Sequence, residues 1–174
     1  MKKDKRTKRF IFIPFCFICP AFQAEGIVKD SWAKTVKPVV EVLVEQDVNI
    51  VQMPCPESLF GGLKKNLKRQ PASIIKYDNP DFRRHCHKLA LETAKSIKAI
   101  LSSGYQVVAI LGLEYSPACS TKLQYTNKGT IHRSGIYMEY LQNLLKTEKI
   151  DIPFVGINKR WPKKSQKLIT DLLK

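Results

Sequence analysis

The sequence predicts an α/β fold in which a mainly parallel sheet of about four strands lies between helical layers, a Rossmann-like three-layer sandwich. Two observations carry this. Apolar runs at residues 9–16, 48–54, 105–113 and 152–157 are continuous rather than alternating, as strands buried on both faces require. Helical patterns separate them, so the chain alternates strand and helix without a gap.

"RFIFIPFC" (9–16) reads as the first strand and "WAKTVKPVVEVLVEQD" (32–47) as the first helix. Pro38 is tolerable in that helix if the helix starts late and the proline falls in its first turn. "VNIVQMP" (48–54) is the second strand, followed by a Gly-, Lys- and Pro-containing loop from Cys55 to Asn79. The longest helix follows, with Asn79 as N-cap, Pro80 in the first helical position and Gly104 beyond the end. "YQVVAILGL" (105–113) is the third strand, "SGIYMEYLQNLLKTEK" a helix, "IPFVGI" (152–157) the fourth strand and "WPKKSQKLITDLLK" a closing amphipathic helix. No internal repeat or linker divides the 174 residues, so residues 1–174 read as a single domain, with 1–8 a basic, flexible tail.

The apolar block behind "MKKDKRTKR" also has the outline of a secretory signal peptide. Pro14, Cys16, Cys19 and Pro20 interrupt it, and "AFQAEG" offers no clean small-residue cleavage site. Read as a strand, the same block completes the sheet. No apolar run reaches the ~18 residues of a membrane span.

Thirty Lys and Arg against 15 Asp and Glu give a net charge of +15. Such an excess concentrates anions, which makes nucleotides, nucleic acid and anionic membranes candidate partners. The cations are spread along the chain rather than interleaved with aromatics on one segment, which equally suits solvated faces.

Ligand sites of open α/β sheets lie beyond the carboxyl ends of the strands. The first three strands end at Cys16, at Cys55 in "MPCPE", and in "LGLEYSPACS", which reaches Cys119. Three of five cysteines, far apart in sequence, thus converge on one rim. Three thiolates there can bind a metal or an iron–sulfur cluster, or serve as small buried apolar groups. Prolines beside Cys55 and Cys119, with Gly61, Gly62 and Gly112 nearby, favour a site. Cys86, between His85 and His87 on a helix, cannot share an ion with them. Those three and His132 read as structural or surface groups.

The segments "PFCFIC" with "AEG", "PCPESLFGGLKKNLKRQP", "YDNPDFRRHC", "LGLEYSPACS" and "SGIYMEYLQNLL" resemble the TudS-like desulfidase family, related to thiouracil desulfurase. The resemblance implies a 4Fe-4S cluster on Cys16, Cys55 and Cys119, with the fourth iron open to the sulfur of a thiocarbonyl substrate. It also implies catalytic roles for Glu57 of "CPE" and Ser116 of "SPAC". The implied reaction is non-redox replacement of sulfur by oxygen in a thiolated nucleobase, nucleoside or nucleotide, with sulfide released. Such a protein is most easily assembled inside the cell, so a cytoplasmic location is expected. Cys19 stands where Gly or Asn is common in relatives; it reads as a small side chain packed beside the cluster, whereas as a fourth ligand it would close the open iron. Ser120 stands where relatives often have Gly.

Two other readings compete. One is a non-enzymatic module with zinc on Cys16, Cys19 and Cys55 or Cys119 and the lysines on RNA. The other is a secreted protein that begins after Ala24. Iron and sulfide analysis separates the first from a desulfidase, and N-terminal sequencing the second.

Overall fold

In the computed structural model, residues 5–23, 30–65 and 73–174 are described. Four strands form one parallel sheet in the order β2–β1–β3–β6: β1 is Arg9–Pro14, β2 Asn49–Met53, β3 Gln106–Leu113 and β6 Phe154–Ile157. The first part of the apolar block, Arg9–Pro14, is therefore an inner strand, hydrogen-bonded on both sides. It ends two residues short of the expected Cys16, with two 3-10 turns, Phe15–Phe17 and Pro20–Phe22, following it. Helices α1 (Asp30–Glu45) and α6 (Pro162–Leu173) cover one face, and α4 (Pro80–Ser102) and α5 (Ile136–Thr147) the other.

Strand alternation sorts the core between these two layers. Phe12 packs with Phe82, Ala90, Ile97, Tyr137 and Leu141, whereas its neighbours Ile11 and Ile13 pack with Val39, Leu43 and Ile169. Each such Val, Leu, Ile or Phe side chain, fully buried, contributes about 1.5–3 kcal/mol. In β3 the alternation slips once: Val108 and Ala109 both face the α1/α6 layer. The register jumps at the same place, Phe10 pairing with Val107 and Ile11 with Ala109, so Val108 is the extra residue of a bulge.

The expected start of α4 is present. Asn79 Oδ1 accepts from the Phe82 amide at 3.0 Å, Pro80 opens the helix, and Gly104 takes φ +77° just beyond its end. Buried Tyr137 donates its hydroxyl to Thr93 Oγ1 at 2.7 Å, which ties α5 to α4.

Three expectations need correction. Pro38 lies inside α1 rather than in its first turn, because the helix begins at Asp30. The buried stripe Val36, Val39, Val42 and Leu43 outweighs the backbone bond that the proline forfeits. Within the expected loop 55–79 stand two helices, α2 (Pro56–Lys65) and α3 (Ser73–Tyr77), while 66–72 fall outside the described residues. Proline at the first position and Glu57 in the first turn suit the start of α2. Finally, an antiparallel pair, β4 (Leu123–Thr126) and β5 (Gly129–His132), stands between β3 and α5. A two-residue turn joins its strands, and Gly129 follows that turn at φ +110°. Residues 1–4 of the expected basic tail and 24–29, which include the last three residues of "AFQAEG", also lie outside the described residues.

An ionic cluster fastens this hairpin to the body. Asp78 accepts from Arg83 at 2.6 Å and from Arg133 at 2.7 Å, and Glu139 lies 3.6 Å from Arg83 and 3.9 Å from Arg133. Among the described residues, no helix is long and apolar enough to cross a membrane.

Candidate functional site

The register of the sheet levels the strand ends. Pro14, the last residue of β1, pairs with Met53, the last of β2. Cys16 follows Pro14 by two residues, in a 3-10 turn over Phe15–Phe17, and Cys55 follows Met53 by two. Cys119 reaches the same rim on the loop after β3. That loop folds back, with the Leu113 amide donating to the Cys119 carbonyl at 3.0 Å.

Cys55 acts on both other thiols, and Cys16 also acts on Cys119. Burial comes first among the causes that push up Cys16, to about 12, with Cys55 and Glu57 adding to it and Lys159 opposing. Burial also raises Cys55, where the Ser58 hydroxyl 3.1 Å from Sγ works the other way. Cys119 lies well above the usual thiol range, through burial and then Cys55, Cys16, Glu57 and Cys86. Cys19, on the next turn, is not among the groups that perturb any of the three.

Glu57 and Ser116 also meet. Ser116 Oγ donates to Glu57 Oε1 at 3.0 Å and accepts from the amides of Cys119 at 2.9 Å and Ala118 at 3.3 Å. Its one proton goes to the carboxylate and its lone pairs to the loop, so the hydroxyl is fixed in direction. Burial raises the Glu57 carboxyl to about 7, and the bond from Ser116 holds it lower than burial alone would. A carboxyl poised there can give or take a proton near neutral pH.

Several residues that sequence reasoning missed build this rim. The Glu114 carboxylate accepts from Thr121 Oγ1 at 2.6 Å and from the Leu123 amide at 2.7 Å, and Ser120 Oγ lies 2.9 Å from it. The loop carrying Ser116 and Cys119 is thereby wrapped around an anion. Its signal was a lone acid directly after an eight-residue apolar strand. Ser120 is fully buried in this network, which gives its hydroxyl a role where a glycine would have none. Gln124, also buried, donates to the Ser116 carbonyl at 2.6 Å.

From the end of β6, Lys159 Nζ donates to Gln23 Oε1, and Gln23 Nε2 lies 3.5 Å from the Cys16 carbonyl. Applying the strand-end rule to the fourth strand as well would have found Lys159. Tyr77 is buried, and its hydroxyl is raised by burial and then by Glu57 and Cys55, which puts it in the same neighbourhood.

The remaining candidates lie apart. Cys86 is fully buried among core residues of α4. His85 packs on Phe60, His87 packs on Tyr140, and His132 is exposed on β5. Among the described residues, no three His, Cys, Asp or Glu side chains are gathered so as to hold one metal ion. A cluster differs from a single ion in spreading its thiolates over separate irons.

No family model matches the chain, and no solved structure matches it. Over 93 residues it is 28% identical to an uncharacterized protein, MJ0003, of Methanocaldococcus jannaschii. That stretch is 53% of this chain and 54% of the relative, so the chain spans about half the length of the relative it matches.

Proposed function

We propose that this chain is an iron–sulfur-dependent desulfidase that replaces the sulfur of a thiolated nucleobase, nucleoside or nucleotide with oxygen from water. The single observation that carries the reading is the Ser116–Glu57 hydrogen bond set beside three thiols from three strand ends. The donor set suits a 4Fe-4S cluster. As free groups, all three thiols are raised by burial, Cys55 adds to the rise at Cys16 and both add to it at Cys119, and a cationic centre among them reverses that penalty. Cys16, Cys55 and Cys119 would hold the cluster. When bound, it supplies a Lewis acid at the iron that carries no cysteine.

The chain's own residues do the proton work. Ser116, locked by two backbone amides, orients Glu57 and so sets which carboxylate oxygen faces the substrate. Ionised Glu57 removes a proton from the attacking water and, once protonated, returns it to the departing sulfur or to a ring nitrogen. The balance is C=S plus water giving C=O plus hydrogen sulfide, with no net electron transfer. Lys159 and the other cations of a +15 chain favour an anionic substrate, hence a nucleotide over a free base.

The deciding experiment is iron and acid-labile sulfide per chain after anaerobic reconstitution, beside Cys55→Ala. Roughly four of each, lost in the variant, is the expected result. Release of sulfide from thiouracil or thiouridine monophosphate then tests the reaction. Stoichiometric zinc, or no metal after reconstitution, would overturn the reading.

A further inference from the structure

The turn between β6 and α6 reads Asn158–Lys159–Arg160–Trp161–Pro162–Lys163–Lys164. Although the lysines of the chain are spread along it, here cations do flank an aromatic. Trp161 is 63% exposed, yet its backbone is held at both ends. Its amide donates to the Asn158 carbonyl at 3.0 Å, and its carbonyl accepts from the Ser165 amide at 2.9 Å. Asn158 Oδ1 also accepts from the Arg160 amide at 2.9 Å. An indole is thus presented to solvent on a fixed support, which is how a stacking platform is prepared.

The neighbours complete the surface. Tyr115 and Tyr125 stack with ring centroids 4.1 Å apart and planes 14° from parallel. The Arg160 guanidinium lies 5.3 and 5.0 Å from those centroids, which leaves it charged, oriented and exposed. Lys163 and Lys164 are exposed one step further on. The turn also borders the candidate site on two sides. Tyr115 directly precedes Ser116 and takes φ +69°, while Lys159 reaches back to Gln23 behind Cys16.

We propose that this turn binds single-stranded RNA, with Trp161 stacking on a base and Arg160, Lys163 and Lys164 on the flanking phosphates. Stacking on an exposed ring needs an unpaired base face, which selects single strands over duplex. A membrane surface is the poorer match, since one projecting ring is far less than the apolar helix face that interfacial binding uses. The choice of RNA over DNA rests on the desulfidase reading, whose substrate is a uracil-type base. The proposal extends that reading by making the substrate a base within a strand.

The test is fluorescence anisotropy of a labelled 12-nucleotide oligouridine against the full chain after anaerobic reconstitution, at two salt concentrations. Wild type should bind with an affinity that falls as salt rises. Trp161→Ala should weaken binding about tenfold, the loss of one stacked base, and Trp161→Phe should stay within about threefold of wild type. Arg160→Ala should weaken it and reduce the salt dependence, whereas Lys95→Ala, on the exposed face of α4, should stay within about twofold. Wild type that fails to bind, or Trp161→Ala and Arg160→Ala variants that bind like wild type, would overturn the proposal. So would Trp161-dependent sedimentation with phosphatidylserine vesicles in the absence of RNA binding, which would mark a membrane contact instead. Iron and sulfide analysis of the same preparation tests the desulfidase reading separately, so the two failures are distinguishable.

Discussion

Ser116 Oγ lies 3.0 Å from Glu57 Oε1, although the two residues are 59 positions apart. The bond joins the loop after β3 to the first turn of α2, so it exists only when β1 has brought β2 and β3 together. Glu57→Gln keeps an oxygen that can accept from Ser116 but cannot carry the proton. Sulfide release should fall about 10²–10³-fold while iron and sulfide content stay at the wild-type level. A variant that retains full turnover would remove Glu57 from the mechanism.

Ser116→Ala should cost less than Glu57→Gln, since the carboxyl remains and only its orientation is lost. In the double variant the two losses should not multiply, because both act through one bond. A cycle of four kcat values checks this. Strict additivity would mean that the hydroxyl does something other than hold Glu57.

Cys19 and Cys119 should behave oppositely. Cys19 sits half-exposed on the turn after Cys16, whereas Cys119 is buried. Cys19→Ala should therefore reconstitute with full iron, whereas Cys119→Ala should not. Loss of iron in both would make Cys19 a fourth ligand and close the open position.

Gly135→Ala tests the support of the loop. A Cβ at Gly135 would stand 2.4 Å from the Ala118 carbonyl and 2.8 Å from the Cys119 amide nitrogen, and both are backbone atoms. The substitution should destabilise by about 1–3 kcal/mol in urea unfolding, and iron retention should drop with it.

Asp78 supplies a pH dependence away from the site. Hydrogen bonds from Arg83 and then Arg133 hold its carboxyl below the ordinary value of 3.8. Its contribution is therefore complete above about pH 4 and fades as pH falls through the lowered value. Asp78→Asn should cost ~1.5 kcal/mol at pH 7, and the gap to wild type should close in the acid range. A gap that persists at pH 2 would show that the loss comes from shape rather than charge.

The sheet was legible because continuous apolar runs and a well-marked cap at Asn79 are local signals. The strand-end rule then sufficed to bring Cys16, Cys55 and Cys119 to one rim. Glu57 and Ser116 came from the family resemblance alone, since a solvated acid and a turn serine look the same in sequence. What escaped was non-local or offset by one residue. The Val108 bulge leaves no mark in an apolar strand, and the hairpin at 123–132 has strands of four residues each. The role of Glu114 depends on hydrogen bonds from the Ser120 and Thr121 hydroxyls and the Leu123 backbone amide, six to nine residues ahead.

Because β1 is an inner strand whose second partner is β3, the order in which the chain is made matters. When residue 60 has left the ribosome, Cys16, Cys19 and Cys55 are available, but Cys119 and Ser116 have yet to be synthesised. Under the proposed reading, a metal caught at that moment can meet only Cys16, Cys19 and Cys55, with Cys19 able to take the place proposed for Cys119. The rim is thus complete only once β3 has paired along β1, and β6 joins the other edge of β3 later still. If the rim holds a cluster as proposed, folding that outpaces metal capture would protect it from the wrong set of thiols.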